Sequence, residues 1–158
     1  MPRFLCDAML GSLARWLRFF GYDCTYIDPS VEDSEVLSAA RKDGRWLLTR
    51  DQELASFGPR TMLVRSEELE AQLREVFARH QLCPEPNLAE SRCAECNGEL
   101  QDVDPEDLTD CVPPYVVETA PRFRQCRECL RVYWPGTHTE KILRRMERVV
   151  ANKSKTRE

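Results

Sequence analysis

Two cysteine pairs of the form Cys-x-x-Cys stand in the second half of the chain. They consist of Cys93, Cys96, Cys126 and Cys129. Each pair turns two thiolates towards one point, and two pairs complete a closed tetrahedral zinc site. We therefore predict a structural Zn²⁺ ion in a zinc ribbon. The alternatives are a redox-active pair or four unrelated thiols, but a redox-active pair would open a helix in an α/β unit, and neither pair has that context.

Acidic residues follow the apolar runs of the first half. Asp7 and Asp28 come directly after such runs, Asp51 follows a third, Asp33 begins a helical pattern, and Glu53 lies two residues beyond Asp51. The carboxyl ends of parallel strands meet at one edge, where ligands gather. Clustered carboxylates repel one another unless a cation joins them, and Mg²⁺ or Mn²⁺ suits oxygen ligands. The pattern predicts a divalent metal site, with ordinary helix caps and turn residues as the alternative.

Three arginines lie near the predicted acidic site, namely Arg15, Arg18 and Arg50. Guanidinium groups bind phosphate in a bidentate manner, so these residues are candidates for substrate binding. Ion pairing with neighbouring carboxylates explains them equally well.

Residues around the second cysteine pair have two interpretations each. Tyr133 and Trp134 either stack on unpaired bases or form core, and we favour core because a small domain is short of apolar mass. His138 either assists at a phosphate or caps the last helix. Cys111 is a possible competing metal ligand, although it has no partner at the Cys-x-x-Cys spacing.

Alternating apolar patterns supply the elements that must position these groups. Short apolar runs predict strands at 4–6, 24–27, 46–49 and 62–64. Helical spacing predicts one helix over 10–20, a second from an Asp33 N-cap to Gly44, and a third capped by Ser66. Strands alternating with helices indicate an α/β fold with a mostly parallel sheet covered on both faces.

The pattern changes at a proline-bearing segment. We predict an α/β domain over 1–82, a linker over 83–92, a zinc ribbon with a C-terminal helix over 93–151, and a frayed tail over 152–158. The last helix starts near Glu140. Its predicted apolar face is Ile142, Leu143, Met146, Val149 and Val150, and its basic face is Lys141, Arg144, Arg145 and Arg148.

Composition limits the class of protein. Of 158 residues, 42% are hydrophobic and 32% charged, which is typical of a folded chain rather than a disordered one. A net charge of −4 argues against a protein that binds nucleic acid through its overall charge, but local basic patches can still bind phosphate groups. No apolar run approaches the roughly 18–20 residues of a membrane span. An aspartate at position 7 comes too early for a signal peptide, so we expect a cytoplasmic protein with reduced thiols.

Several segments match a known pattern. They are FLCDAMLGSLARWLR at 4–18 with GYD at 21–23, DSEVL at 33–37, LLTRDQEL at 47–54, and YWPGTH at 133–138. Together they resemble the Mut-seven C-terminal ribonuclease family, a branch of the PIN-like nucleases, over nearly the whole chain. The resemblance implies a PIN-like nuclease domain over 1–82 followed by the zinc ribbon.

The resemblance also implies roles for the acidic residues. In PIN-like enzymes the acids at matching places hold divalent metal for phosphodiester cleavage, which makes Asp7, Asp33 and Asp51 the leading Mg²⁺ or Mn²⁺ ligands here. Glu53 assists them, and Glu35 replaces or supports Asp33. Many PIN nucleases carry Asp where this chain has Glu53, which leaves a second metal position open.

Three functions follow as hypotheses. The first is a metal-dependent ribonuclease acting on single-stranded RNA, for which the family implies 5′-phosphate and 3′-hydroxyl products. The second is a non-catalytic RNA- or ribosome-binding adaptor that uses the zinc ribbon. The third is a phosphatase or small-nucleotide hydrolase with the same carboxylates. Endo- and exonucleolytic cleavage, and the oligomeric state, stay open at this point.

Overall fold

The computed structural model of the protein describes residues 1–108 and 110–151, so the predicted frayed tail lies outside the described residues. Within these ranges, no helix combines the length and the apolar character needed to cross a lipid bilayer.

A parallel sheet organises the first half. Its strands are β1 (Phe4–Cys6), β2 (Cys24–Tyr26), β3 (Trp46–Thr49) and β4 (Thr61–Leu63), in the order β2-β1-β3-β4. All three residues of β1 are buried, as expected of a central strand covered on both faces. The prediction of a parallel sheet is confirmed, with the bounds of β2 and β4 differing from prediction by one residue.

Helices cover this sheet. They are α1 (Gly11–Phe19), which follows a 3-10 turn at Ala8–Leu10, then α2 (Asp33–Asp43), the short α3 (Gln52–Ala55) and α4 (Leu69–Arg79). Gly44 ends α2 in the left-handed conformation with φ 64°, as its position predicted.

Two predicted caps are wrong. The N-cap of α2 is Glu32, so Asp33 is the first helical residue rather than the cap. The N-cap of α4 is Glu68 rather than Ser66. The carboxylate of Glu75, which belongs to α4, accepts the backbone N–H of Ser66 at 3.1 Å, so the preceding turn is held from inside the helix.

An antiparallel sheet organises the second half. Its strands are β5 (Leu100–Val103), β6 (Phe123–Cys126) and β7 (Val132–Tyr133), in the order β5-β6-β7. Between β5 and β6 the chain forms a 3-10 turn at Pro105–Leu108 and helix α5 (Pro114–Thr119). This insertion has a small core of its own, built from Leu108, Val112, Val116 and Phe123, and it accounts for the long gap between the cysteine pairs.

The last helix, α6 (Thr137–Ala151), begins three residues before the predicted start. Met146 and Val149 are buried in the same core as Leu73 and Phe77 of α4. On its basic face, Arg145 and Arg148 pair with Glu70 of α4 at 3.2 and 3.3 Å. Helix α6 therefore packs on the first half, although it follows the ribbon in the chain. Part of its predicted basic face is used in that packing.

Candidate active site and metal centre

The parallel sheet places acidic residues at one edge. Asp7 follows β1 and Asp51 follows β3, and these strands are neighbours in register, with Cys6 opposite Leu48. Asp33 opens α2, and Glu53 lies in the first turn of α3. We call Asp7, Asp33, Asp51 and Glu53 the acidic edge.

Thr49, the last residue of β3, joins two members of the acidic edge. Its hydroxyl Oγ1 donates a hydrogen bond to Oδ2 of Asp7 and accepts one from the backbone N–H of Asp51 at 3.0 Å. Thr49 is fully buried, so water cannot replace either of these two hydrogen bonds of its hydroxyl group. The spacing of Asp7 from Asp51 is therefore set by a side chain that the sequence argument did not select.

Asp7 is the most enclosed of these carboxylates, with only 8% of its surface exposed. Burial raises its pKa, and the negative charges of Asp51 and Asp33 raise it further, against hydrogen bonds from Thr49 and the N–H of Met9 that lower it. Asp51 and Asp33 thus act on Asp7 through their charges. Crowding of this kind is what a bound cation relieves.

The remaining acids are exposed. Asp51 Oδ1 caps α3 by accepting the N–H groups of Glu53 and Leu54 at 2.9 and 3.2 Å. Asp33, Glu35 and Glu53 are also open to solvent. Asp28 accepts the N–H of Ser30 at 2.8 Å, and hydrogen bonding to Ser30 lowers its pKa, which describes a turn residue rather than a ligand.

The acidic edge is less tightly drawn together than a closed metal site. Among the described residues, the only group of three or more Cys, His, Asp or Glu whose ligand atoms all lie within 4.8 Å of one another is the cysteine group. Mg²⁺ usually keeps several waters and takes only one or two protein carboxylates. The donor set of Asp7 and Asp51, supported by Asp33 and Glu53, fits an open, partly hydrated ion of this type.

The three predicted phosphate-binding arginines have different surroundings. Arg18 is buried, and its guanidinium donates to the carbonyls of Cys24 and Ala94, both at 2.8 Å. Arg18 thus ties the first half to the ribbon, and its assignment to substrate binding stays a prediction. Arg15 is exposed and pairs with Glu95 at 2.9 Å, while Arg50 donates to the carbonyl of Ser66 at 2.7 Å.

The four predicted zinc ligands do come together. The thiols of Cys93, Cys96, Cys126 and Cys129 lie within 4.8 Å of one another. The sulfur of Cys96 lies 3.4 Å from that of Cys126, and the sulfur of Cys93 lies 3.6 Å from that of Cys129. In a tetrahedral site with Zn–S bonds of about 2.3 Å, two sulfurs lie about 3.8 Å apart, which is close to these distances. The group can hold a structural metal such as zinc.

Neighbouring groups support this cysteine cluster. Tyr133 Oη lies 3.1 Å from the sulfur of Cys93 and accepts the N–H of Ala94 at 3.2 Å, which gives Tyr133 a structural place. Gly98 leaves room for the sulfurs, because a Cβ atom at this position would lie only 2.6 Å from the sulfur of Cys126. Cys111 is exposed and lies outside the cluster.

The cluster is also anchored to the parallel sheet. Asn97 accepts the N–H of Cys24 at 3.0 Å and donates to Asp23 at 2.7 Å, and Arg45 donates to the same carboxylate at 2.6 Å. Although burial raises the pKa of Asp23, the hydrogen bonds from Arg45 and Asn97 outweigh it and lower that pKa. Sequence reasoning missed this junction, since only the position of Asn97 directly after Cys96 hinted at it.

One comparison with known proteins identifies a family. The family model described as the Mut7-C RNAse domain matches residues 2–146, which is nearly the whole chain. Neither the search of curated proteins nor the search of solved structures found a significant match.

Proposed function

The chain belongs to the Mut7-C RNAse domain family, and from this membership we propose that it is a metal-dependent ribonuclease that hydrolyses phosphodiester bonds in single-stranded RNA. The family description points to a nuclease that acts on RNA. The dependence on Mg²⁺ or Mn²⁺, the preference for single strands and the roles of individual residues are our proposal.

The observation that carries the proposal is the contact from Asp7 through Thr49 to Asp51. It fixes the largely buried carboxylate of Asp7 relative to the backbone of Asp51 at the ends of adjacent parallel strands, where substrates of such sheets bind. A fully solvated pair of turn residues would not need a buried hydroxyl between them.

Each acid has a distinct proposed role. Asp7 and Asp51 hold the divalent ion, Asp33 adds negative charge from the start of α2, and Glu53 orients water from the first turn of α3. A bound Mg²⁺ or Mn²⁺ ion would supply a water of lowered pKa and stabilise charge on the scissile phosphate. Thr49 keeps Asp7 in position and favours its ionised form, because its hydrogen bond lowers the pKa of Asp7.

The cysteine cluster has a structural role in this proposal. A Zn²⁺ ion on Cys93, Cys96, Cys126 and Cys129 would have no open position, which is the property of structural rather than catalytic zinc sites. The ion would fix the ribbon against the parallel sheet through the junction at Asn97.

Cleavage of end-labelled single-stranded RNA in the presence of Mn²⁺ is the direct test. We expect Asp51→Asn to reduce the rate about 100-fold or more, in the range found when one electrostatic interaction with a reacting group is removed. Asparagine caps a helix as well as aspartate does, so the fold should be unaffected. Asp28→Asn is the matched control, because Asp28 ends the neighbouring strand region but only closes a turn. Equal rates for Asp51→Asn and the wild type would refute the assignment.

A further inference from the structure

A cleft of about 440 Å³ opens where the ribbon meets helices α1 and α6. We call it the arginine cleft, because its walls carry Arg15, Arg92, Arg122, Arg124 and Arg131. Among the residues that the structure describes, no aspartate or glutamate lines it. In a chain with a net charge of −4, the five arginines give this concave surface a local excess of positive charge, although Glu95 beside it pairs with Arg15.

Two of the arginines are fixed in place by the backbone. Arg92 donates from Nε to the carbonyl of Asn97 at 2.9 Å, and Arg124 donates to the carbonyl of Leu88 at 3.1 Å. Burial and the adjacent charge of Arg122 lower the pKa of Arg124, against the charges of Asp102 and Glu90, which raise it. The fold therefore holds cations side by side in the cleft, which an anionic ligand would stabilise.

Two other arginines are available to a ligand. Arg122 is exposed and has no hydrogen bond or ion pair with any other described residue. Arg131 is exposed too, and its ion pair with Glu95 is long, at 3.9 Å. Guanidinium groups in this state can form bidentate contacts with phosphate at low cost.

An aromatic ring and a helix terminus complete the cleft. Trp134 lines it and keeps 38% of its surface exposed, while its ring lies 6.2 Å from that of Phe123. The first residues of α6, together with Gly136 just before it, form part of the wall. The N-terminus of this long helix adds partial positive charge where an anion would sit.

We infer that the arginine cleft binds the phosphates of single-stranded RNA, with a base stacked on Trp134, at a site separate from the acidic edge. This inference rests on the proposed function for the choice of RNA. Cations beside an exposed aromatic ring are the combination that single-strand binders use, because unpaired bases offer both a phosphate and a stacking face. A phosphorylated peptide would use the arginines but leave Trp134 without a role.

A second groove has lining residues that contact both the arginine cleft and the segment next to Asp7. It measures about 270 Å³, and its lining is Arg18, Thr25, Tyr26, Glu95 and Cys96. Tyr26 donates a hydrogen bond to the carbonyl of Ala8, next to Asp7, and Glu95 pairs with Arg15 of the cleft. In this inference, one RNA strand runs from the cleft along this groove, past Tyr26, to the proposed cutting site.

The test is a binding measurement that does not depend on cleavage. The full chain carrying Asp51→Asn is titrated with a short labelled oligouridylate over a range of salt concentrations, followed by fluorescence anisotropy. Arg122→Ala with Arg131→Ala should weaken binding about tenfold. It should also reduce the slope of log K against log salt concentration by about 0.7 for each phosphate that the protein no longer neutralises. Lys42→Ala with Arg144→Ala removes the same charge from exposed positions outside the cleft and away from the acidic edge, and should change binding less than about twofold.

Trp134→Ala tests the stacking part separately. It should weaken binding of the oligouridylate about fivefold or more, and leave binding of an abasic oligomer of the same length unchanged. Zinc content and thermal melting, measured for every variant, identify any that misfold, and the Arg122 and Arg131 variant then decides the result, since both side chains are exposed.

The outcomes separate this inference from the proposed function. A wild-type chain that fails to cleave RNA, with binding that still depends on the cleft, refutes the ribonuclease and supports the inference. Unchanged binding by the Arg122 and Arg131 variant overturns the inference, whether or not the wild type cleaves. Equal weakening by the control pair, or tighter binding of a phosphopeptide than of RNA, also overturns it.

Discussion

The cysteine cluster and the acidic edge are both candidate metal sites, and they are built differently. In the cluster, four sulfurs already lie within 4.8 Å of one another, and a tyrosine hydroxyl and a glycine shape the space around them. At the acidic edge, one carboxylate is largely buried and the others face solvent at wider spacing. A closed set of soft ligands suits a permanent structural ion, whereas an open set of oxygen ligands suits an ion that shares its site with water and substrate.

The two sites also differ in how they affect stability. Metal binding should stabilise the region around the cluster, because its ligands belong to a small domain with a limited hydrophobic core. The acidic edge lowers stability without an ion, since burial and nearby negative charge raise the pKa of Asp7. Removing metal should therefore unfold one region and leave the other folded but inactive.

The largest expected effect follows from removing one zinc ligand. Cys126→Ala should abolish zinc binding and unfold the ribbon, because structural zinc contributes on the order of 10 kcal/mol or more to such domains. Metal content after dialysis and limited proteolysis measure this. Cys111→Ala is the matched control, as that cysteine is exposed and outside the cluster. Full zinc occupancy in Cys126→Ala would remove the distinction between the two regions.

Thr49→Val tests whether the acidic edge depends on its buried hydroxyl. The variant keeps the shape of the side chain but leaves Asp7 and the N–H of Asp51 without their partner, which should cost about 1–3 kcal/mol of unfolding free energy. We expect cleavage to fall at least about tenfold, because a misplaced catalytic group is costly.

The pH dependence gives a second measurement for the same variant. Since the hydrogen bond from Thr49 lowers the pKa of Asp7, its removal should move the acid limb of the pH–rate profile to higher pH. Thr49→Ser retains the hydroxyl and should keep the wild-type limb. A limb that stays in place in Thr49→Val would show that Asp7 is not the group that titrates.

Gly98→Ala tests how tightly the cysteine cluster is packed. The added Cβ would lie 2.6 Å from the sulfur of Cys126 and 2.9 Å from the side chain of Glu128, so we expect the free energy of unfolding to fall by about 1–3 kcal/mol from overpacking. In Gly58→Ala the Cβ meets only Arg41 at an ordinary 3.7 Å, and stability should change little. Thermal melting with zinc present compares the two, and equal melting temperatures would contradict the packing argument.

The smallest expected effect is stabilisation by Mn²⁺. At ten times its Kd, Mn²⁺ should stabilise the wild type by about 1.4 kcal/mol, and Asp7→Asn should not show this gain. Without Mn²⁺, lowering the pH should stabilise the wild type relative to Asp7→Asn. The reason is that a carboxyl group whose pKa is raised in the folded state binds its proton more tightly there than in the unfolded chain.

Asp28→Asn should keep the Mn²⁺ shift, because Asp28 lies outside the acidic edge. Thermal melting with and without Mn²⁺ measures all three proteins. A full Mn²⁺ shift in Asp7→Asn would place the ion elsewhere.

Local patterns were enough to predict much of the fold. The strands at 4–6 and 46–49 match β1 and β3, because buried parallel strands are continuous apolar runs that need no distant information. The end of α2 at Gly44 follows from the ease with which glycine adopts positive φ. Helices α3 and α5 were not predicted, since helices of four and six residues depend on caps and packing rather than on periodicity.

The candidate sites divide in the same way. The four cysteines were found because each pair is a local motif, and Asp7 and Asp51 because strand ends share an edge in a parallel sheet. The role of Thr49 was not found, since a threonine at the end of a strand is common and only its buried contacts distinguish it. The structural contact of Arg18 with the ribbon carbonyl of Ala94 was not predicted, because it joins residues 76 positions apart in the sequence.

By itself, the sequence determined the chemistry of this protein: which thiols and carboxylates it carries, and which short segments become strands, helices and metal-binding turns. These follow from side-chain type and from contacts a few residues apart. Only the tertiary structure decided that α6 packs on α4, that Asn97 fastens the ribbon to the sheet, and that arginines from distant segments line one cleft. These contacts depend on how the two halves of the chain pack together. That packing results from many weak contacts between residues far apart in sequence, which local sequence patterns do not predict.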